Sequence, residues 1–185
     1  MSTRLYRFIL KYVIPQATIF HGRGPSWFFK QRLRENMQEG DVLLSKSSFN
    51  LTNILIGGKY SHAAVVVSKD KIAEMSANDF DIVDVDKFCK GTTRVTLLRL
   101  KIEDKQYAES IAKEAMSFAD REYDLDFKLG VEALYCSELC YQADYEGRFK
   151  CDLSDLAGIG RPYISPYGLY IAEGLKVVSS WEDKI

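Results

Sequence analysis

Ser61-His62-Ala63-Ala64-Val65-Val66-Val67-Ser68 is the stretch from which the rest of the chain is best read. It is apolar on both faces and rich in β-branched residues, as expected of a central strand covered on each side. Its one ionisable side chain, His62, stands at the head of the run and alternates with Ala64 and Val66 on one strand face. Working outward, Val42 to Ser45 reads as a strand before it, and Lys71 to Met75, Asp81 to Val85 and Thr93 to Leu100 read as strands after it.

The period then changes. From Asp104 to Ala119 the apolar positions Tyr107, Ile111, Ala115 and Phe118 recur every three or four residues, which predicts a helix packed on a surface. A loop rich in Tyr, Asp and Gly leads into a second helix from Cys136 to about Tyr145, and the tail offers a helical turn after Pro166 and a strand from Leu175 to Ser180. Nearer the N-terminus, Ser26 can cap a helix through Met37, with Glu39-Gly40-Asp41 as the break, and Ser48 a short helix to Ile56 stopped by Gly57-Gly58. Helices, an antiparallel strand group and further helices packed on it define an α+β fold. There is no internal repeat, so the organisation expected is a helical extension, 1–39, followed by one domain, 40–185.

Composition fits that domain. The chain has 185 residues, 46% of them hydrophobic, and a formal charge of −1, enough for an ordinary core and a poor match to nucleic acid as main partner. Charge is uneven, however. Met1 to Arg34 carries Arg4, Arg7, Lys11, Arg23, Lys30, Arg32 and Arg34 without an acidic residue, interleaved with Leu5, Tyr6, Phe8, Ile9, Val13, Trp27, Phe28 and Phe29. A solvated helical appendage explains this, and so does attachment to an anionic membrane surface. The apolar stretch Tyr12 to Phe20 is broken by Pro15 and Gln16, lacks a small-residue cleavage site and falls short of the roughly 20 residues that span a bilayer. The expectation is a cytoplasmic protein, peripheral to membrane at most. Cys89, Cys136, Cys140 and Cys151 are too scattered for a disulfide framework and are expected as free thiols.

Chemistry concentrates in Tyr135-Cys136-Ser137-Glu138-Leu139-Cys140. A free thiol, with a pKa of roughly 8.5, is mostly protonated at neutral pH. At a helix start, unpaired N–H groups and the positive end of the macrodipole favour the thiolate and can also hold an oxyanion. His62 is the available general base, and a base of this kind needs a partner to fix its tautomer. Glu74 is the candidate, on the strand after the Ser68-Lys69-Asp70 turn. A two-residue loop at Lys69-Asp70 would set Glu74 on the sheet face opposite His62, and a three-residue loop would set both on one face.

Gly40-Asp41-Val42-Leu43-Leu44, Ser61 to Val66, Glu74, Tyr135 to Leu139 and Ile164-Ser165-Pro166 together resemble the circularly permuted, YiiX/YaeF-like branch of the papain-like NlpC superfamily of cysteine hydrolases. In ordinary papain-like enzymes the cysteine helix comes first; here His62 precedes Cys136. The resemblance implies a papain-like antiparallel sheet or partial barrel packed against helices, with Cys136 as nucleophile, His62 as base, Glu74 as third member and no cofactor. Tyr123 sits at the remove from Cys136 where related non-permuted enzymes carry an oxyanion-binding tyrosine. The strand after His62 reads Ala63-Ala64-Val65-Val66 where relatives often carry a glycine, and the residues before Gly40 fall outside the resemblance. The substrates implied are peptides and other amides, with lipids as the alternative because permuted relatives include acyltransferases and phospholipases. A binding module that keeps the fold without using the thiol is the non-enzymatic rival.

Other motifs carry less. His62, Cys136 and Cys140 lack an evident fourth ligand for zinc. Gly57-Gly58-Lys59 lacks the P-loop spacing, and Ser137 lacks the nucleophile-elbow glycines.

Overall fold

The computed structural model describes residues 23–47, 58–76, 78–155 and 161–183. The helix expected from Ser48 to Ile56 and the residues before Arg23 lie outside them. In chain order the elements are α1 (Trp27–Asn36), β1 (Val42–Ser47), β2 (His62–Ser68), β3 (Lys71–Ser76), β4 (Asp79–Val83), α2 (Val85–Phe88), β5 (Thr92–Leu100), α3 (Lys105–Ser117), β6 (Glu122–Tyr123), β7 (Ala133–Leu134), α4 (Cys136–Ala143), β8 (Ser154–Asp155), β9 (Pro162–Tyr163), α5 (Pro166–Ile171) and β10 (Leu175–Glu182).

One six-stranded sheet, ordered β10-β5-β1-β2-β3-β4, organises them, and its neighbours are antiparallel throughout. Strand period divides its side chains between two cores. Val42, Leu44, Ala63, Val65, Met75 and Leu98 pack against Tyr107, Ile111 and Ala115 of α3 and Leu139, Cys140 and Ala143 of α4. On the other face Leu43, Ala64, Val66, Ile72, Val95 and Leu97 pack against Leu33 of α1, Met37 at its end, and Val85 and Phe88 of α2. Covering both faces is what makes Ser61 to Ser68 apolar throughout.

The helix caps follow sequence. Ser26 accepts from Phe29 N–H, Asp104 from Tyr107 N–H and Ser165 from Gly168 N–H. Gly40 is required where β1 passes beneath α3: its φ is +81°, and a Cβ there would lie 2.3 Å from the Ala108 carbonyl oxygen.

One local reading needs correction. The strand expected at Asp81 to Val85 lies at Asp79–Val83, and Val85 instead begins α2, capped by the Asp84 side chain accepting from Lys87 N–H. The fourth strand therefore ends earlier because the Asp84 carboxylate offers the backbone a helical start. The two-residue strands β6, β7, β8 and β9 are too short to have a readable period.

Candidate active site

Cys136 is the first residue of α4. Its N-cap, Tyr135, has extended backbone and makes no side-chain capping bond. Glu138, at the third helical position, accepts from Gly130 N–H at 2.8 Å and so ties the helix start to the loop before it. The first helical ladder bond runs from Leu139 N–H to Tyr135 O at 3.0 Å, so the amides of Cys136, Ser137 and Glu138 precede the ladder. The residues on either side of Cys136 grip the backbone of one residue: Ile164 N–H donates to Tyr135 Oη at 2.8 Å, and Ser137 Oγ donates to the Ile164 carbonyl at 2.8 Å.

The helix start meets the sheet where β2 and β3 part. Their ladder stops at Ala64↔Glu74, although β3 continues to Ser76 against β4. At that end the Cys136 sulfur comes within interaction range of the His62 side chain and the Ala63 backbone N–H, both of which lower its thiol pKa. Cys136 is buried, whereas His62 keeps 26% of its side chain exposed, so the imidazole is reachable from solvent.

Glu74 completes the cluster through an irregularity in register. The connection between β2 and β3 is the two-residue Lys69-Asp70, which taken alone would turn Glu74 away from His62. A bulge between Val66 and Ser68 inserts one unpaired residue, and Ala64 then opposes Glu74. His62 and Glu74 become diagonal neighbours on one face, with Nε2 and Oε2 2.8 Å apart. That bond occupies Nε2 and leaves Nδ1 for the sulfur.

Electrostatics single out one cysteine. Burial raises the Cys136 thiol, but the hydrogen bond and charge of His62, then Ala63 N–H and the Ser137 side chain, bring it below its ordinary value. Burial pushes Cys89 and Cys151 up to about 12 and Cys140 well above its ordinary range, with no cation at hydrogen-bonding distance to offset it. Burial also lowers His62, yet its bonds to Cys136 and Glu74 outweigh that and raise it to about 10. Glu74 is raised by burial and lowered by more through His62, so it is held as carboxylate. The balance describes a thiolate–imidazolium pair backed by a carboxylate.

Tyr123 lies on β6, paired in parallel with β7 so that it opposes Leu134, two residues ahead of Cys136; its N–H donates to Asp79 Oδ1 at 3.0 Å. Three neighbours of the site were not singled out from sequence. The Phe88 ring lies 5.8 Å from the His62 ring, Tyr163 packs 6.4 Å from Tyr135, and Val67 sits at the bulge. Asp84 as a helix cap, followed by the apolar pair Val85 and Phe88 at helical spacing, was the available signal for Phe88. Among the described residues no group of three or more His, Cys, Asp or Glu side chains is disposed to hold a metal ion, and no helix is long and apolar enough to cross a membrane.

A buried sulfur at a helix start, against an imidazole bonded to a carboxylate, on an antiparallel sheet covered by helices, is the arrangement of a papain-like thiol hydrolase with its histidine strand moved ahead of its cysteine helix. The chain belongs to the family of permuted papain-like amidase enzymes, YaeF/YiiX, C92, whose model matches residues 36–167. Its fold is similar to that of the crystal structure of the metalloprotein YiiX from Escherichia coli O157:H7, with a TM-score of 0.65 and 16% identity over 78% of this chain and 98% of that one. No curated protein matches the chain.

Proposed function

We propose that this papain-like enzyme cleaves amide bonds through a covalent acyl–Cys136 intermediate. What carries the reading is the Cys136 sulfur meeting His62 while Glu74 holds the opposite ring nitrogen at 2.8 Å. His62 takes the thiol proton, and the Cys136 thiolate attacks the substrate carbonyl carbon. The negative oxygen so formed is held by amides at the start of α4, with the Tyr123 hydroxyl as a further donor. Collapse breaks the C–N bond as imidazolium protonates the leaving amine. Water, deprotonated by His62, then attacks the thioester and restores the thiol. Glu74 orients the ring and offsets its charge.

An electrophilic thiol probe tests the assignment. The full-length protein should label at Cys136 at pH values where ordinary thiols remain protonated, and Cys136→Ala should remove that label while leaving the other three cysteines as unreactive as before. Undiminished labelling of the variant, or loss of selectivity for Cys136 in the native protein, would overturn it. A panel of short peptides and isopeptides, with a labelled phospholipid alongside, reads the bond type directly, and the amide is the expected substrate because the family is an amidase family.

A further inference from the structure

We propose that Asp81 is a positioning residue for the reaction: by holding the Lys87 ammonium, it leaves the Glu74 carboxylate to His62. This role deepens the proposed function and rests on its reading of His62 as the base that Glu74 orients. The register creates the need for it. Glu74 on β3 and Asp81 on β4 are direct partners, so two carboxylates stand side by side on one face of the sheet, their Cβ atoms about 5 Å apart. Any cation that reaches one can reach the other, and a cation on Glu74 competes with the imidazole for its oxygens.

Lys87 of α2 is that cation. Its Nζ lies 2.6 Å from Asp81 Oδ2, whereas Glu74 Oε2 lies 2.8 Å from His62 Nε2. Each carboxylate thus has its own side-chain nitrogen, and Asp81 Oδ1 accepts from Ile82 N–H at 2.8 Å. Burial raises the Glu74 carboxyl and the bond and charge of His62 lower it; the charge of Lys87 also lowers it and that of Asp81 raises it, so both are within electrostatic reach. Lys87 in turn is raised first by its bond to Asp81, then by the charges of Glu74 and Asp84. Asp86, the carboxylate within α2, is engaged by Lys30 and Arg34 of α1.

The backbone that delivers Lys87 is fixed, and its stem is free to swing. Asp84 caps α2 by accepting from Lys87 N–H at 2.8 Å, and Val85 N–H donates to Asp70 Oδ1 at 3.2 Å. Phe88, the next residue, has its ring 5.8 Å from that of His62. The flexible four-carbon stem of Lys87 can therefore change partner without moving the helix, and the Asp81 charge decides which carboxylate it takes.

Ring NMR of the histidines in the full chain tests this without a substrate. The sequence has two histidines, and His21→Gln leaves the signal of His62 alone. Asp81→Asn should release Lys87 onto Glu74 and move the His62 titration to lower pH by roughly 0.2–0.7 pH unit, the range exposed ion pairs reach. Lys87→Met should not lower it, because the competing cation is gone, and adding Lys87→Met to Asp81→Asn should return the titration to its native position. If the pair merely tethered β4 to α2, either single change would break the tether alike and the double variant would be no better than Asp81→Asn. A downward shift with Lys87→Met alone, none with Asp81→Asn, or no recovery in the double variant overturns the role. Lys87 and Asp81 keep 61% and 47% of their side chains exposed, so these changes leave the core intact, and thermal unfolding of each variant checks it. Cys136 labelling of the same samples reports on the catalytic assignment separately: native protein that fails to label selectively removes that reading, whereas intact labelling with an unresponsive His62 removes only this one.

Discussion

His62 is the residue on which the other two converge, and its protonation governs the pH dependence of the site. Its bonds to Cys136 and Glu74 raise it to about 10, while they hold Cys136 below an ordinary thiol. Activity should rise as Cys136 loses its proton and fall as His62 loses its own near pH 10. Glu74→Gln removes a charge that raises His62, so the alkaline limb of kcat/KM should move to lower pH with a smaller loss of rate than His62→Ala. The latter should cost about 10²- to 10⁴-fold. An alkaline limb unmoved by Glu74→Gln would show that the carboxylate does not act through the imidazole. The sign for stability follows from the same shift: a raised His62 stabilises the fold fully below its unfolded value of roughly 6.5 and loses that contribution as pH rises through the folded one. Residue types alone were sufficient to nominate Cys136, His62 and Glu74, because a thiol at a helix start and an imidazole in an apolar strand stand out. Phe88 and Tyr163 did not, since an aromatic beside a loop has no distinguishing composition.

The hairpin of β2 and β3 is the element on which the third member depends. Strand identities were legible in the β-branched runs, and α3 and α4 in their helical period. The bulge was not, because one extra valine in a valine run alters neither composition nor alternation enough to be read. Its effect is nevertheless large: one residue of slip exchanges the two faces of a strand. Deleting Ala73 should slip β3 by one residue beyond the bulge, set Glu74 opposite Val65 on the other sheet face and separate it from His62. Turnover should then fall to that of Glu74→Ala, and combining the two changes should cost nothing further. Cooperative thermal unfolding of the deletion variant checks that the sheet persists; a folded variant with native turnover would show that register does not set the contact.

Across the whole molecule, the family match at 36–167 leaves out β10 and all of α1 but Asn36, yet both complete the sheet and its second core. β10 pairs with β5 along its length, and Phe29 of α1 lies 6.3 Å from Trp181 of β10. The division at residue 39 follows the Glu39-Gly40-Asp41 break and the start of the resemblance, neither of which registers that Leu33 is fully buried with Met37 against Leu43, Val66 and Leu97. The ion pairs of α1 contribute little to holding it, because Asp86 is largely exposed and solvent screens such pairs. Apolar burial is then the main tether. Leu33→Ala should cost about 2–5 kcal/mol of unfolding free energy if α1 is integral to the core, whereas an appendage would unfold apart and leave the main transition unmoved. The same cavity should reach the site, because α1 supports α2 and α2 sets Phe88 against the His62 ring. Denaturant unfolding followed by Trp181 fluorescence in a Trp27→Phe background, with the pH profile of Cys136 alkylation in the folded range, reads both effects. A shifted midpoint with an unchanged profile would confine α1 to stability, and movement of both would make the helix a support for the imidazole as well.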